Sequence, residues 1–116
     1  MIVVSILFNN KDKANPTHAS INNGTLLCDT CAGMHKAFGD QISYLRSLSD
    51  FEWNQTCYLY IELGGNENFR KFMEKYGLLE EPIAIRYMSH AAAHYRMQVY
   101  SLLNSLALLC RTRKAI

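Results

Sequence analysis

The chain has 116 residues, a formal net charge of +2, and 49% hydrophobic residues. This length allows one domain with a sizeable core, and this composition excludes wholesale disorder. The weak positive charge does not indicate a nucleic-acid partner. Basic residues cluster only in the C-terminal CRTRKAI, which we interpret as a solvated helix end.

The N-terminal stretch MIVVSILF is apolar but short. It lacks a basic n-region and a small-residue cleavage site, so it predicts neither a signal peptide nor a transmembrane segment. We therefore expect a cytoplasmic protein with reduced cysteines. The β-branched and aromatic residues of 1–8 predict a short strand, and the NNKDKANPTHASINNG that follows predicts loop and turn.

Cys28 and Cys31 form a CxxC pair between the predicted short strand TLL and a predicted short helix. A second strand is predicted in ISYLRS, so a small sheet surrounds the pair. The spacing is typical of a zinc knuckle, of a redox-active dithiol, or of two ordinary cysteines. A dithiol of the thioredoxin type should lie in a βαβ pattern, whereas the rest of this chain is predicted to be helical. His18 and His35 are nitrogen ligands by residue type, or else hydrogen-bonded structural histidines.

Two helices are predicted in the middle of the chain. Ser49 and Glu52 fit a capping box, and LGG at 63–65 ends the first helix. Asn66 is predicted to cap the second helix, which Gly77 ends. Apolar faces are predicted from Trp53, Cys57, Tyr60 and Ile61 in the first helix, and from Phe69, Phe72, Met73 and Tyr76 in the second.

A long helix is predicted from Pro82 to about residue 110. His90 and His94 are expected on its polar face, and Cys57 and Cys110 are expected to be inert buried thiols. Its predicted apolar face consists of Met88, Ala92, Tyr95, Val99, Leu102, Leu106 and Leu109.

Several motifs follow one another in a specific order: NPTHASINNGTLLCDTCAGMHKAFG, ISYLRSLS, Trp53, GGNENFRKF and YMSHAAAHYR. In this order they resemble the ArfGAP domain, the zinc-finger module that activates GTP hydrolysis on Arf small GTPases, and the last is similar to Golgi-type members. The resemblance implies an α/β (α+β) fold with a small central β-sheet surrounded by α-helices. It divides the chain into a divergent N-terminal segment (1–14), the ArfGAP-like domain (15–97) and a C-terminal helix extension (98–116).

The chain departs from the family pattern at chemically important positions. The pattern has a first CxxC sixteen residues before the second, and those positions hold Phe8 and Lys11. We therefore expect an N-terminally incomplete domain that binds zinc weakly or not at all. His18 replaces a tryptophan, and Lys36 replaces the arginine that follows Gly-x-His. Asp40-Gln41 replaces Val-His, whereas the family's Arg46, Ser47, Trp53, Gly64, Gly65 and Asn66 are retained.

The resemblance implies roles for five residues. Cys28 and Cys31 would be the zinc ligands, Lys36 would occupy the catalytic arginine-finger position, and His35 and Arg46 would bind the partner. A lysine keeps the charge but lacks arginine's planar fork, so reduced activity is expected, unless Lys36 is only a solvated surface residue.

The implied function is that of a GTPase activator, a regulator and not itself an enzyme, for a GTP-bound Arf-family GTPase in vesicle trafficking. The alternatives are a catalytically dead module that binds Arf or a coat protein, and a CxxC dithiol oxidoreductase. A cytoplasmic location with peripheral recruitment to Golgi membranes is expected.

Overall fold

The computed structural model describes residues 15–50 and 52–115, with side chains described as far as Leu106. The described residues form a small sheet followed by a helical half, which confirms the predicted α+β class. The elements in chain order are β1 (His18–Ser20), a 3-10 turn (Ile21–Asn23), β2 (Thr25–Leu27), α1 (Asp29–Lys36), β3 (Leu45–Ser47), α2 (Gln55–Leu63), α3 (Asn66–Lys75), α4 (Ile83–Met88) and α5 (His90–Ala115).

The sheet is antiparallel with the strand order β2-β1-β3. The predicted strand in TLL is confirmed, and that in ISYLRS is confirmed for its last three residues. The prediction of loop across His18–Ser20 was wrong, because this segment is the central strand and pairs on both sides. Ala19 lies opposite both Leu26 and Arg46. The strand predicted in residues 1–8 lies outside the described residues.

The free edge of β2 is covered by a side chain. The backbone N–H of Leu26 donates to Asn66 Oδ1 at 2.7 Å, and Asn66 Nδ2 donates to the Leu26 carbonyl at 3.0 Å. The amide thus makes both hydrogen bonds that a neighbouring strand would make. The predicted capping role of Asn66 was wrong, since Gly65 is the N-cap and Asn66 is the first residue of α3.

The turn before β2 packs closely against the end of α2, and this contact involves Gly24, Gly64 and Gly65. Gly24 has φ +66°, and a Cβ on it would lie 2.7 Å from the Tyr60 carbonyl oxygen and 3.1 Å from Gly64 Cα. The N–H of Gly65 donates to the Gly24 carbonyl at 2.8 Å. The Gly-Gly pair therefore ends α2 as predicted and also joins α2 to the sheet.

The beginning of α2 differs from the prediction. The helix begins at Gln55, and the Asn54 side chain accepts the hydrogen bond of the Cys57 N–H at 3.0 Å. The predicted capping box was wrong because Ser49 bonds Ser47 instead, hydroxyl to hydroxyl at 2.9 Å. Trp53 precedes the helix and donates its Nε1 hydrogen to the Ser47 carbonyl at 2.8 Å.

The helix predicted to run unbroken from Pro82 is interrupted at Ser89. Ser89 has ψ 159°, and its hydroxyl donates to the Arg86 carbonyl at 2.7 Å and accepts from the Ala92 N–H at 3.0 Å. One serine therefore ends α4 and caps α5.

The apolar face of α5 also differs from the prediction. Met88, Leu102 and Leu106 are exposed, while Leu103 is buried, as are Ala92, Tyr95 and Val99. Leu109 lies outside the described side chains.

Two clusters of buried residues hold the fold together. One, around Phe69, Met73, Tyr87 and Tyr95, joins α3, α4 and α5. The other, around Ala19, Leu26, Cys57 and Ile61, packs the sheet against α2. Cys57 is thus a buried thiol as predicted, and Cys110 lies outside the described side chains. His90 and His94 are exposed on α5. Among the described helices, none is both long and apolar enough to cross a membrane.

Candidate functional site

Cys28 and Cys31 lie at the junction of β2 and α1. Cys28 is the N-cap of α1 and Cys31 is in its first turn, and both side chains are half-buried. The backbone N–H of Cys31 is the main cause that lowers the pKa of the Cys28 thiol. Burial raises the pKa of the Cys31 thiol. The predicted turn is therefore formed, with two neighbouring thiols available to a ligand.

These two thiols do not make a complete zinc site. Zinc in structural sites has four protein ligands, and no group of three or more histidines, cysteines or acidic residues close enough to hold a metal occurs within the described residues. A cavity of about 500 Å³ opens beside both thiols, and its described lining includes Arg86 but no histidine or carboxylate. Residues 1–14 contain neither cysteine nor histidine. Within the part of the chain that the structure describes, the donor set therefore fits only half of such a site.

We expect purified protein to retain far less than one zinc per chain. Because structural zinc stabilises a fold only when its ligands are complete, EDTA should shift the melting temperature by less than about 2 °C. Elemental analysis and thermal melts with and without EDTA measure both quantities. The Cys28→Ser/Cys31→Ser variant should melt close to the wild type.

One tightly held zinc per chain would contradict this expectation. Half a zinc per chain, accompanied by a dimer in light scattering, would also contradict it. That result would show that two copies of the chain complete one zinc site with four thiolates.

His35 is fully buried on the inner face of α1. Its Nδ1 lies 2.6 Å from Ser43 Oγ, and its ring packs edge-on against Tyr87 at 4.2 Å. Burial, together with the charge of Arg86, lowers the pKa of His35 to about 4, so the ring is neutral at pH 7. This burial argues against the predicted direct contact of His35 with a partner. Neither His35 nor His18, whose Nδ1 lies 2.8 Å from the hydroxyl of Thr17, belongs to a group of three or more possible metal ligands within the described residues.

Lys36 is the last residue of α1 and is exposed. It follows the buried His35 directly, so the two side chains point to different sides of the helix. Gly39, with φ +86°, then turns the chain back towards the sheet. Among the described residues Lys36 forms no hydrogen bond or ion pair, and its side chain is exposed.

Arg46 lies on β3, one of the two edge strands of the sheet. Its Nη1 is 2.7 Å from an oxygen of Asp50 and 3.6 Å from one of Glu52, and its Nη2 donates to the Tyr44 hydroxyl at 3.0 Å. Tyr44 is itself exposed. The guanidinium is thus held in place, and 20% of the Arg46 side chain remains exposed.

The sequence did not predict the buried polar residues that support α1. Ser43 and Asn23 are buried polar residues, and Ser43 is the one that contacts His35. Serine and asparagine in predicted loops give no sequence signal for such a role. Their hydrogen-bond partners are 3 to 73 residues away along the chain.

Comparisons with known proteins agree on one family. The ArfGap family model, described as "Putative GTPase activating protein for Arf", matches residues 10–102. ADP-ribosylation factor GTPase-activating protein 3 of Mus musculus is 34% identical over 89 residues, which are 76% of this chain and 17% of the mouse protein. ADP-ribosylation factor GTPase-activating protein GCS1 of Saccharomyces cerevisiae is 29% identical over 100 residues, which are 85% of this chain and 26% of the yeast protein. The chain thus spans less than a third of either relative.

The fold agrees with a solved structure. The crystal structure of a "putative GTPase activating protein for ADP ribosylation factor" from Cryptosporidium parvum superposes with a TM-score of 0.72. The superposition covers 88% of this chain and 89% of that one, at 19% sequence identity. The arrangement of sheet and helices described above is therefore that of a known fold.

Proposed function

This chain belongs to the ArfGap family, and on that basis we propose that it binds the GTP-loaded form of an Arf-family GTPase and accelerates GTP hydrolysis weakly. It would act as a regulator that completes the active site of another protein. The observation that carries this proposal is the exposed Lys36 at the end of α1, at the position where the family resemblance places an arginine finger.

The chemistry of lysine explains the expected weakness. During phosphoryl transfer, negative charge is spread over the oxygens of the γ-phosphoryl group, and an inserted cation stabilises it. Arginine offers several aimed donors in a rigid plane, whereas lysine is a compact and strongly hydrated point charge. Lys36 therefore retains electrostatic attraction to the nucleotide but loses the bidentate hydrogen bonding that a finger supplies.

Arg46 is proposed to contact the partner. Its guanidinium is fixed by Asp50 and Tyr44, so little side-chain entropy is lost when a partner binds. The exposed Tyr44 beside it adds an amphipathic ring of the kind enriched at protein interfaces. We propose that this edge of the sheet binds the GTPase while Lys36 approaches the nucleotide.

A module that binds Arf or a coat protein without catalysis is the second candidate. The observation in its favour is the combination of Lys36 with the incomplete zinc ligand set, since both departures affect the same helix. For either candidate we propose a role in vesicle trafficking at Golgi membranes. Its support is the YMSHAAAHYR segment and the similarity to ADP-ribosylation factor GTPase-activating protein 3.

Single-turnover hydrolysis distinguishes the two candidates. Arf loaded with radiolabelled GTP is mixed with increasing amounts of the domain, and phosphate release is followed over time. We expect a saturable acceleration over the intrinsic rate, of about tenfold, well below the 10³–10⁵ that a complete arginine finger gives. Saturable binding of GTP-loaded Arf with an unchanged hydrolysis rate would favour the binding module, and no binding at all would refute both.

A further inference from the structure

The helix that carries Lys36 is attached to the rest of the domain through very few side chains. α1 has eight residues, and its only buried ones are Ala32 and His35. A helix this short does not hold its own conformation in water. Its direction therefore depends on how these two residues are held, and His35 is the one next to Lys36.

His35 is the first member of a chain of buried hydrogen bonds. Ser43 Oγ, which lies 2.6 Å from His35 Nδ1, is also 2.7 Å from Ser20 Oγ in the central strand. Asn23 Nδ2 donates to the same Ser20 oxygen at 2.7 Å and to the Ile42 carbonyl at 2.8 Å. The two serines, Asn23 and His35 are each at most 2% exposed.

The chain of hydrogen bonds ends on α5. Arg96 Nη1 donates to Asn23 Oδ1 at 3.0 Å and to the Tyr87 carbonyl at 3.1 Å. Burial lowers the pKa of Arg96 but leaves it a cation at neutral pH. Hydrogen bonds from a charged donor are stronger than neutral ones, so Arg96 orients the Asn23 amide and through it both serines.

We infer that this chain of hydrogen bonds, from Arg96 through Asn23, Ser20 and Ser43 to His35, fixes the direction in which α1 presents Lys36. Ser43 and Arg96 are then positioning residues, and the late YMSHAAAHYR segment contributes to the site through Arg96. The inference rests on the proposed function for its catalytic consequence. The position of α1 itself can be tested without any GTPase.

The first experiment measures backbone amide hydrogen exchange in the full chain, free of partner. Ser43→Ala removes the hydroxyl that joins His35 to Ser20, so the exchange of the Lys36 and Ala37 amides should become about tenfold faster relative to the amides of α2. Ser43→Thr keeps the hydroxyl and should restore slow exchange. Ser101→Ala, at an exposed serine of α5, is the matched control and should change nothing. Unchanged exchange at Lys36 in Ser43→Ala would overturn the inference.

The second experiment uses the Lys36→Arg chain, in which hydrolysis is expected to be fast. Adding Ser43→Ala should lower the maximal single-turnover rate about tenfold, because small misplacements of a catalytic group are costly, while half-saturation changes less than about twofold. Adding Ser43→Ala to Lys36→Ala should have no effect on the rate. A loss of equal size in both backgrounds would show a merely structural role and overturn the inference.

Failure of the proposed function gives a different pattern. If Lys36→Arg does not accelerate hydrolysis although Arf binds, residue 36 is not a finger and the proposed function fails. Amide exchange at Lys36 then decides by itself whether the hydrogen bonds hold the end of α1.

Discussion

Replacing Lys36 with arginine is expected to raise the maximal rate of Arf GTP hydrolysis by about one to three orders of magnitude. The arginine would lie at the exposed end of α1, where it can donate two directed hydrogen bonds to the γ-phosphoryl oxygens. Each tenfold step corresponds to about 1.4 kcal/mol of barrier. Single-turnover hydrolysis at saturating domain concentration measures the maximal rate directly.

Two further variants separate a finger from a general charge effect. Lys36→Ala should lower hydrolysis only slightly, because the proposed function assigns little of the catalytic effect to a lysine at this position. Lys71→Arg, at an exposed lysine of α3, should leave the rate unchanged. Binding of GTP-loaded Arf should vary little across the series, since a finger acts mainly in the transition state. Equal rates for lysine, arginine and alanine at position 36, in folded proteins, would exclude this residue from the mechanism.

The largest expected effect on stability comes from Gly24→Ala. The new methyl group would lie 2.7 Å from the Tyr60 carbonyl oxygen, and Gly24 has a positive φ that alanine adopts only with strain. The methyl group would also lie 3.1 Å from Gly64 Cα. Because the Tyr60 oxygen and Gly64 Cα are both backbone atoms, rotating a side chain relieves neither contact. We expect a loss of about 3–5 kcal/mol in the free energy of unfolding. Denaturant unfolding monitored by circular dichroism measures it.

Gly33→Ala is the matched control for this variant. Gly33 is inside α1, and a Cβ there would meet nothing within 4 Å. Because alanine favours the helix over glycine, this change should be neutral or stabilising by up to about 1 kcal/mol. If Gly24→Ala unfolded within 1 kcal/mol of the wild type, the close packing of the Gly24 turn on α2 would be disproved.

Features that depend on neighbouring residues were predictable from the sequence. The strand TLL, the end of α2 at Gly64 and the short helix after Cys28 all follow from local conformational preferences, and all three are present. The family was predictable for a similar reason, since its motifs are short and keep their order. The two departures with chemical consequences, Lys36 and the missing first cysteine pair, are likewise visible in the sequence alone.

Features that depend on distant partners were not predictable. Ser89 interrupts the last helical run by using its own hydroxyl twice, an alternative that periodicity does not reveal. The flanking Pro16 and Asn22 led to a prediction of loop for β1. Pairing with strands on both sides nevertheless makes β1 the central strand of the sheet. Asn66 was predicted to cap a helix, yet its side-chain amide hydrogen-bonds the backbone of Leu26 in β2, 40 residues away along the chain.

In the candidate site, too, some features follow from the sequence and others from tertiary structure. The sequence by itself determined which chemical groups are present: a lysine at the proposed finger position, two thiols, and no first cysteine pair. Only the tertiary structure decided that Lys36 is exposed while the adjacent His35 is buried against Tyr87 and Ser43. The physical reason is that residue type and local preference are properties of short segments. Burial and hydrogen-bond partners, in contrast, are properties of the packed chain, and here hydrogen bonds connect His35 to Arg96 through residues that no local pattern connects.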